Sequence, residues 1–403
     1  MRVLVAGRLP QASLDEIQLL GVQLAYQPAL SAAELPLALQ GVNVLVVRGL
    51  EVDANAVAAG DALNLIVRAG SGTGNIDVAA ASARGIYVAN TPGRNASAVA
   101  ELTMTLIGCL DRRVAAASTG LRSGAWEKDE FAQATGLRGR VMGIAGLGHV
   151  GRYVAMLARA FGLQVHAWSR SLTMQRAQEL GVVPSPSLLA LAQQSQVFSI
   201  HLQGSDRTKN IVGRDIIEAL PDDAILVNTA CPDVLDYDAL LDLAPKKRLR
   251  VGLDVLPDEP LARSGRYEHP ILSLPLVVAT PHVGASTDEA QRAIANETVH
   301  VLRSFLTRGE VPNVVNISGT SSARYQLVVR HVEKTGALAH VLGVLKRNGV
   351  HVKELDNTVF EGGKAACAKI RVETRPSDSC LAEIMAFSSE ILHVDLVALP
   401  NLA

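Results

Sequence analysis

Short apolar runs alternate with helical stretches along the first part of the chain. The runs RVLVAG, VNVLVVRG, NLIVRAGSG and GIYVANTPG each end at glycine, asparagine or proline, which is typical of strands. Between them, ASLDEIQLLG and NIDVAAASARG have the apolar spacing of helices. The alternation predicts an α/β domain whose doubly wound parallel sheet is covered by helices on both faces.

A second alternating unit follows a long apolar stretch at 97–121. That stretch, SAVAELTMTLIGCLDRRVAAASTGL, is apolar almost all round, which predicts a buried helix where two domains meet. Six strand candidates come next: RVMGIAGLGHVG, LQVHAWSR, QVFSIHL, AILVNTA, LRVGLDV and LVVATPH. With helices between them, they predict a second doubly wound sheet, of the Rossmann type.

The pattern changes after a polar linker at 311–324. YQLVVRHV (325–332) reads as a strand, TGALAHVLGVLKRNG as a helix, and HVKELDNTVFEGG and KAACAKIRVET as two further strands. DSCLAEIMAFSSE is then helical, and ILHVDLVAL forms a last strand. The order βαββαβ predicts a ferredoxin-like module at the end of the chain.

Composition and charge narrow the class of protein. A chain of 403 residues with 48% hydrophobic and 19% charged residues predicts two or three globular domains. A net charge of −1 gives no indication of a nucleic-acid or membrane partner. The cysteines lack metal-binding or disulfide spacing, which argues against zinc and favours a reducing compartment; they are Cys109, Cys231, Cys367 and Cys380. With no signal-peptide pattern at MRVLVAG, we expect a cytoplasmic protein.

The glycine-rich segment of the second unit has the pattern of a phosphate-binding loop. Gly146, Gly148 and Gly151 form G-x-G-x-x-G directly after a strand and at the start of a helix. The first glycine permits a tight turn, the second lets a pyrophosphate approach the backbone, and the helix N-terminus supplies unpaired N–H groups. In this context a dinucleotide site is favoured over an ordinary glycine-rich turn.

The end of the next strand bears on the choice of dinucleotide. An NAD site needs an acidic residue there to bind the ribose 2′-hydroxyl, but the sequence has Ser169, Arg170 and Ser171. A guanidinium flanked by two hydroxyls suits a 2′-phosphate, so NADP is preferred over NAD. The alternative is that Arg170 stacks on the adenine or faces water.

Five motifs come in the order seen in D-isomer-specific 2-hydroxyacid dehydrogenases: RAGSGTGNID (68–77), NTPGRNASAVAEL (90–102), GLGHVGR, GLDVLPDEP (252–260) and TPHVGASTDEAQ (280–291). The chain resembles this family over essentially its whole length. Because the C-terminal module looks like an ACT regulatory domain, the resemblance is greatest to the D-3-phosphoglycerate dehydrogenase branch. That branch implies hydride transfer between NAD(P) and a 2-hydroxy or 2-oxo acid, in L-serine biosynthesis.

The resemblance implies a discontinuous layout. A substrate-binding domain would comprise 1–93 and 282–316, an NAD(P)-binding Rossmann domain 94–281, and an ACT domain 322–403. Family members are generally dimers or tetramers, so a homodimer or homotetramer is expected. Further cofactor contacts are implied at His149, Val150, Thr229, Asp254 and Gly284.

The resemblance also implies a catalytic couple. His282 in TPHVGAS matches the histidine that exchanges the hydroxyl proton, and Glu259 in PDEP matches the glutamate that orients it. Histidine suits this task because it titrates near neutral pH and a neighbouring carboxylate favours its charged form. Asp254 matches an acid on the nicotinamide side; otherwise it would cap a turn.

The family's third group, an arginine that clamps the substrate carboxylate, is replaced. Its pattern reads roughly N-x-[AS]-R-G-[GE], whereas this chain reads NTACPD, which puts Cys231 in the arginine position. Loss of such a contact costs on the order of 3–5 kcal/mol. Hydride transfer needs no nucleophile and no basic residue adjoins Cys231, which argues against a reactive thiolate.

Other groups remain for a small anionic substrate. The resemblance implies that the turn AGSGTG offers the backbone N–H groups of Ser71 and Gly72 to a carboxylate, and that Arg48 faces a phosphate. Arg94 and Arg68 should border the same crevice. One hypothesis is that Arg94 or Arg48 supplies the missing charge.

The ACT-like module departs from the family in its effector contacts, which are a histidine and asparagines. The chain keeps His331, but Glu333 and His351 stand at the asparagine positions. This argues against serine as the effector and leaves two alternatives, a sensor of another small molecule or a module that only mediates oligomer contacts.

Three functions are therefore open. The first is a phosphoglycerate-type dehydrogenase. The second is a catalytically impaired homologue that binds dinucleotide. The third is an NADPH-dependent reductase of hydroxypyruvate or glyoxylate, which would tolerate weaker anion binding.

Overall fold

The N-terminal apolar runs form a five-stranded parallel sheet, in a computed structural model that describes residues 1–260, 264–317, 322–387 and 389–399. Its strands are β1 (Arg2–Ala6), β2 (Gln23–Tyr26), β3 (Val44–Val47), β4 (Leu65–Arg68) and β5 (Tyr87–Ala89). The order β2-β1-β3-β4-β5 is that of flavodoxin-like sheets. The sequence predicted four of these strands; β2 lies at the edge and is only partly buried.

Helices cover both faces of this sheet, as expected for a doubly wound fold. One face packs on α1 (Gln11–Leu19) and on α12 (Asp288–Arg308), which comes from far along the chain. The other carries α2 (Leu35–Ala38), α3 (Ala54–Ala59) and α4 (Val78–Ala83). The packing of α12 agrees with a discontinuous substrate-binding domain, whose bounds remain a proposal.

The apolar stretch at 97–121 is not one buried helix. It forms α5 (Ala96–Arg112) and α6 (Val114–Arg122), separated at Arg113, whose φ of 51° is left-handed. Helix α5 packs into the core of the second sheet, but α6 buries none of its residues. The prediction of a helix buried throughout was therefore wrong, because the small uncharged residues of α6, mostly alanine, serine and threonine, are tolerated on a surface as well as in a core.

The second sheet has seven parallel strands. They are β6 (Val141–Ala145), β7 (Gln164–Trp168), β8 (Val183–Pro184), β9 (Val197–Ile200), β10 (Ile225–Asn228), β11 (Arg250–Leu253) and β12 (Val277–Ala279). The order β12-β11-β10-β9-β6-β7-β8 contains the Rossmann arrangement, with its switch point between β6 and β9. All six predicted strands are present, and the two-residue β8 is added at the edge.

The helices of the second sheet are α7 (His149–Ala160), α8 (Met174–Leu180), α9 (Leu188–Gln194), α10 (Arg214–Ala219) and α11 (Tyr237–Lys246). There are also two short 3-10 helices in this region: Pro232–Val234 comes after β10, and Pro270–Ser273 comes before β12. Two apolar clusters pack against opposite faces of the sheet. None of the helices in the described ranges is long and apolar enough to cross a bilayer.

The chain divides into a first unit, Met1–Asn316, and a second unit, Ile317–Ala403. The second unit contains β13 (Tyr325–Val332), α13 (Ala337–Arg347), β14 (Val352–Val359), β15 (Ala365–Val372), α14 (Asp378–Met385) and β16 (Ile391–Ala398). Its antiparallel sheet has the order β14-β15-β13-β16 and its own apolar core. The predicted βαββαβ order is thus confirmed; Ser388, within the predicted last helical segment, lies outside the described residues.

Candidate active site

Each glycine of the phosphate-binding loop has its own steric requirement. Gly146 has a φ of 98°, and a Cβ built there would lie 2.5 Å from the His201 carbonyl oxygen. A Cβ on Gly151 would lie 2.1 Å from the Gly146 oxygen. A Cβ on Gly148 would meet nothing within 4 Å, so the space over this glycine is open to a ligand. The loop therefore has the shape that a diphosphate needs.

The start of α7 adds donors to this loop. The helix begins at His149 with Gly148 as its N-cap residue. In the described part of the chain, no protein acceptor bonds the backbone N–H groups of His149, Val150 and Gly151. Unpaired N–H groups and the positive end of the helix dipole favour an anion. These residues fit the diphosphate of a dinucleotide.

The predicted selector of the 2′-phosphate lies beside this loop. Gly146 N donates to Trp168 O at 2.8 Å, which brings the end of β7 next to the glycines. Ser169 follows and is half-buried, whereas Arg170 and Ser171 are exposed. The side chain of Arg170 makes no hydrogen bond or ion pair with any described residue, so it is available to a ligand.

The predicted catalytic couple is assembled. His282 Nδ1 lies 2.6 Å from Glu259 Oε2, and the other oxygen of Glu259 accepts from Leu256 N at 2.8 Å. The hydrogen bond to Glu259 raises the pKa of His282, and the negative charges of Glu259 and Asp254 add to the effect. Burial raises the pKa of Glu259, but the hydrogen bonds from His282 and Leu256 outweigh it and leave that pKa below its ordinary value.

Asp254 holds the loop that carries His282. The residue is 1% exposed. One carboxylate oxygen accepts from Thr280 Oγ1 at 2.6 Å and from Val283 N at 2.8 Å, and the other accepts from Gly284 N at 2.8 Å. His282 itself has a left-handed φ of 52°. Such backbone is sparsely populated by non-glycine residues and persists when the surroundings hold it.

Two tyrosines that the sequence did not indicate hold the loop that carries Glu259. Tyr237 Oη donates to Val255 O at 2.8 Å, and Tyr267 Oη donates to Pro257 O at 2.7 Å. Both rings contact His269, one edge-on and one stacked. No motif spacing connects these residues to Glu259, so only the folded chain shows their role as positioning residues.

His282 opens onto a cavity of about 820 Å³ within the first unit. Residues from the second sheet reach it at Thr229, Asp254 and Gly284. From the first sheet come the turn containing Ser71 and Gly72 and three arginines: Arg8, Arg48 and Arg68. Thr229 is also fixed by Thr103, whose hydroxyl lies 2.8 Å away. The cavity thus brings His282 close to a group of cations.

Cys231 does not line this cavity, although Thr229 and Ala230 do. Its sulfur faces Gly204: a Cβ built on that glycine would lie 2.5 Å from Cys231 Sγ. Burial raises the pKa of the thiol, and the charges of Asp233 and Glu259 raise it further. Cys231 is therefore protonated at neutral pH, which agrees with the expectation that it is no nucleophile.

Arg94 is also absent from the residues lining the cavity in the described ranges. Its guanidinium pairs with Glu297 at 2.5 Å, and Glu297 also accepts from Asn313 at 2.7 Å. The structure therefore does not bring Arg94 to the substrate crevice, because a nearly buried carboxylate holds it elsewhere. Arg48 does line the cavity, and its Nη1 donates to Arg8 O at 3.4 Å.

The three effector candidates of the second unit are not brought together within one chain. His331 is 1% exposed, and its nitrogens lie 2.8 Å from Val332 O and 3.1 Å from Asn357 Oδ1. In the sheet, His331 is level with Val359, at the opposite end of β14 from His351. Glu333 is exposed. A site made of all three would need residues from a second copy.

The chain thus combines a Rossmann sheet, a glycine-rich loop that fits a diphosphate, and a histidine–glutamate couple facing an arginine-lined cavity. Residues 104–284 match the model of the D-isomer specific 2-hydroxyacid dehydrogenase NAD-binding domain. The chain belongs to the D-isomer-specific 2-hydroxyacid dehydrogenase family.

Proteins similar to this chain have names that indicate different substrates. The chain is 32% identical over 320 residues to D-3-phosphoglycerate dehydrogenase of Methanocaldococcus jannaschii, with 79% of this chain and 60% of that enzyme covered. It is 39% identical over 260 residues to hydroxypyruvate reductase of Thermotoga maritima, with 64% of this chain and 83% of that enzyme covered. The solved TT0316 protein of Thermus thermophilus superposes with a TM-score of 0.69 at 32% identity, covering 78% of this chain and 100% of that chain.

Proposed function

We propose that the protein is a D-2-hydroxyacid dehydrogenase of the phosphoglycerate type, which interconverts an anionic 2-hydroxy acid and its 2-oxo acid and contributes to L-serine biosynthesis. The observation that carries the proposal is the shared cavity of His282 and the arginines Arg8, Arg48 and Arg68. A proton donor beside several cations suits a substrate with a carboxylate and a second anionic group. The M. jannaschii relative of that name supports this substrate class.

The chain's residues perform the proton part of the reaction. When bound, the dinucleotide exchanges a hydride with carbon 2 of the substrate; Gly146, Gly148 and Gly151 would hold its diphosphate. In reduction, His282 gives its proton to the carbonyl oxygen, so that hydride and proton together yield the hydroxyl group. Glu259 orients the imidazole and stabilises its charged form. In oxidation, the neutral imidazole takes the proton back.

For the cofactor, we propose NADP in preference to NAD. The support is the exposed Arg170 between Ser169 and Ser171, with no acidic side chain at the end of β7. A 2′-phosphate would receive charge-assisted hydrogen bonds there.

A second candidate is a reductase of hydroxypyruvate or glyoxylate. The replacement of the carboxylate-clamping arginine by Cys231 favours it, because a smaller substrate needs less anion binding. The T. maritima relative carries that activity in its name. A third candidate, a homologue that binds dinucleotide with little turnover, is opposed by the intact His282–Glu259 contact of 2.6 Å.

Steady-state assays distinguish the three candidates. Phosphohydroxypyruvate, hydroxypyruvate and glyoxylate are each tested with NADH and NADPH. We expect the highest kcat/KM with phosphohydroxypyruvate and NADPH, and a His282→Gln variant with kcat lower by about 10²- to 10⁴-fold. Preference for hydroxypyruvate or glyoxylate supports the second candidate. Nucleotide binding without reduction of any of the three supports the impaired homologue.

For the second unit, we propose an ACT domain that pairs with another copy in a homodimer or homotetramer. Its βαββαβ order supports this assignment. A small-molecule effector would then bind between copies, since His331 and His351 lie at opposite ends of the sheet within one chain. We also propose the cytoplasm as the compartment, on the pattern of the cysteines.

A further inference from the structure

Arg68 has a position at the cavity that its place in the sequence does not reveal. It is the last residue of β4, and its side chain folds back over the following turn. A Cβ built on Gly70 would lie 1.5 Å from Arg68 Nη1 and 2.4 Å from its Cζ. The guanidinium therefore occupies the space that any side chain at position 70 would need.

The guanidinium is a cation with no partner in the described part of the chain. It makes no hydrogen bond or ion pair there, and its Nε is buried. Burial lowers the pKa of Arg68 to about 10, and the charge of Arg48 contributes. Burying an unpaired charge is costly, so a site of this kind is stabilised when an anion enters.

The turn beneath Arg68 provides further donors. Within the described ranges, no protein acceptor bonds the backbone N–H groups of Ser71 and Gly72. The turn is held in place by other bonds: Ser71 Oγ donates to Asn95 Oδ1 at 2.7 Å, and Asn90 Nδ2 donates to Ser71 O at 2.6 Å. A fixed turn with two free N–H groups beside a guanidinium is suited to one carboxylate.

Cys231 does not perform this task, since it does not line the cavity and its neutral thiol is turned toward Gly204. We propose that Arg68, together with the Ser71 and Gly72 N–H groups, receives the carboxylate of the 2-oxo acid in place of the group replaced at Cys231. This inference rests on the proposed function. It leaves Arg8 and Arg48 to face a second anionic group, and it replaces the earlier hypothesis of Arg94 or Arg48 as the carboxylate clamp.

The test uses the full-length protein and two readouts. The first is kcat/KM for glyoxylate and hydroxypyruvate, whose only fixed anion is the carboxylate. The second is calorimetric binding of oxalate, an unreactive compound with adjoining carboxylates. The variants are Arg68→Gln, Arg68→Lys and, as a matched control, Arg303→Gln. The control removes a guanidinium on α12 from its surface ion pair with Glu16 on α1. Affinity for NADPH and NADH and the Tm are measured for each.

We expect Arg68→Gln to lower kcat/KM and oxalate affinity by roughly 10- to 100-fold, the range for hydrogen bonds to charged groups, with dinucleotide affinity unchanged. Arg68→Lys should recover part of the loss, because a point charge remains without the planar fork. In a Cys231→Arg background the loss caused by Arg68→Gln should shrink, since the added guanidinium takes over the carboxylate. A purely structural role would give the same loss in both backgrounds.

The inference is overturned if Arg68→Gln behaves like Arg303→Gln, or if its loss is equal in both backgrounds. If Arg68→Gln is unstable, Arg68→Lys decides, and unchanged oxalate affinity in that variant counts against the inference. The proposed function fails separately: a wild-type protein that reduces no 2-oxo acid but loses oxalate binding on Arg68→Gln would contradict the dehydrogenase and still support Arg68 as the carboxylate site.

Discussion

Glu259 sets the pH range in which His282 carries its proton. The short hydrogen bond between them raises the pKa of His282, so the protonated form that the proposed reduction needs persists to higher pH. Reduction should slow as pH rises through that pKa, and oxidation should speed up. In a Glu259→Gln variant the pKa falls, so we expect the descending limb of kcat/KM for reduction to move to lower pH. Initial rates measured across the pH range, with Arg303→Gln as control, test this; an unmoved limb would contradict the role of Glu259.

Replacing Arg68 should shift the descending limb of the kcat/KM profile in the direction opposite to that of Glu259→Gln. The positive charge of Arg68 lowers the pKa of His282, against the larger effect of Glu259. Removing that charge in Arg68→Gln should therefore move the descending limb to higher pH, even though the rate itself is lower. The paired profiles of Arg68→Gln and Glu259→Gln form an internal control, because nonspecific damage to the site would not move them in opposite directions.

How far sequence determines this site differs between residues. The order of motifs predicted that His282 and Glu259 would meet, and they do. It did not predict the direction of side chains: Cys231 turns to Gly204, Arg94 to Glu297, and Arg68 folds over Gly70. Each of these outcomes depends on packing between segments far apart in the chain or on the space left at one glycine, and neither is encoded in a local pattern.

At the scale of elements, substitutions at two glycines of the phosphate-binding loop should separate effects on dinucleotide binding from effects on folding. A Cβ on Gly151 collides with the Gly146 carbonyl, whereas a Cβ on Gly148 meets nothing in the protein. We expect Gly151→Ala to lower both the Tm and the dinucleotide affinity, with a loss of stability of about 1–3 kcal/mol. Gly148→Ala should leave the Tm unchanged and weaken dinucleotide binding, because its methyl group would occupy the space proposed for the diphosphate. Calorimetry and thermal unfolding of both variants check this.

The two glycine variants also test the site independently of turnover. Unchanged NADPH and NADH affinity in Gly148→Ala would mean that the diphosphate does not lie over this glycine. An exposed glycine such as Gly124, with nothing within 4 Å, offers a control outside the loop, although its φ of 86° makes asparagine a better replacement than alanine.

The end of β7 should determine the choice of dinucleotide. Arg170 is exposed and bonds no described residue, so its replacement changes little in the protein itself. We expect Arg170→Ala to weaken NADPH binding by roughly 10- to 100-fold, as for charged hydrogen bonds, and to leave NADH binding unaltered. Fluorescence titration with both nucleotides measures the effect. Equal losses for both would instead indicate that Arg170 stacks on the adenine.

Strands with long apolar runs were predictable from the sequence, whereas strands with short or partly polar runs were not. All four N-terminal runs became strands, while QLAY of β2 and the two-residue β8 escaped notice because both are short, partly exposed edges. The opposite error occurred at α6, where low polarity suggested burial that the fold does not provide. Whether an edge strand or a surface helix is buried depends on which of its faces other parts of the chain cover, and a local pattern does not contain that information.

At the scale of the whole molecule, the first unit already contains everything that the proposed reaction needs. Both parallel sheets, the phosphate-binding loop and the cavity lie within Met1–Asn316. The TT0316 protein is covered in full by 78% of this chain. The second unit has a separate apolar core of its own.

A chain that ends after Asn316 should therefore fold and bind dinucleotide as the full chain does. Asn316 belongs to the first unit because its side-chain nitrogen donates to Ile86 O and its oxygen accepts from Val88 N, both at 2.8 Å. We expect an unchanged dinucleotide Kd and unchanged kcat in the absence of effectors, measured by titration and steady-state assay. Ending the chain after Arg308 is the matched comparison: it removes Asn313, which bonds Glu297, and Asn316, so it should lower the Tm. If instead the longer fragment lost dinucleotide binding, the second unit would be part of the catalytic fold rather than a separate module.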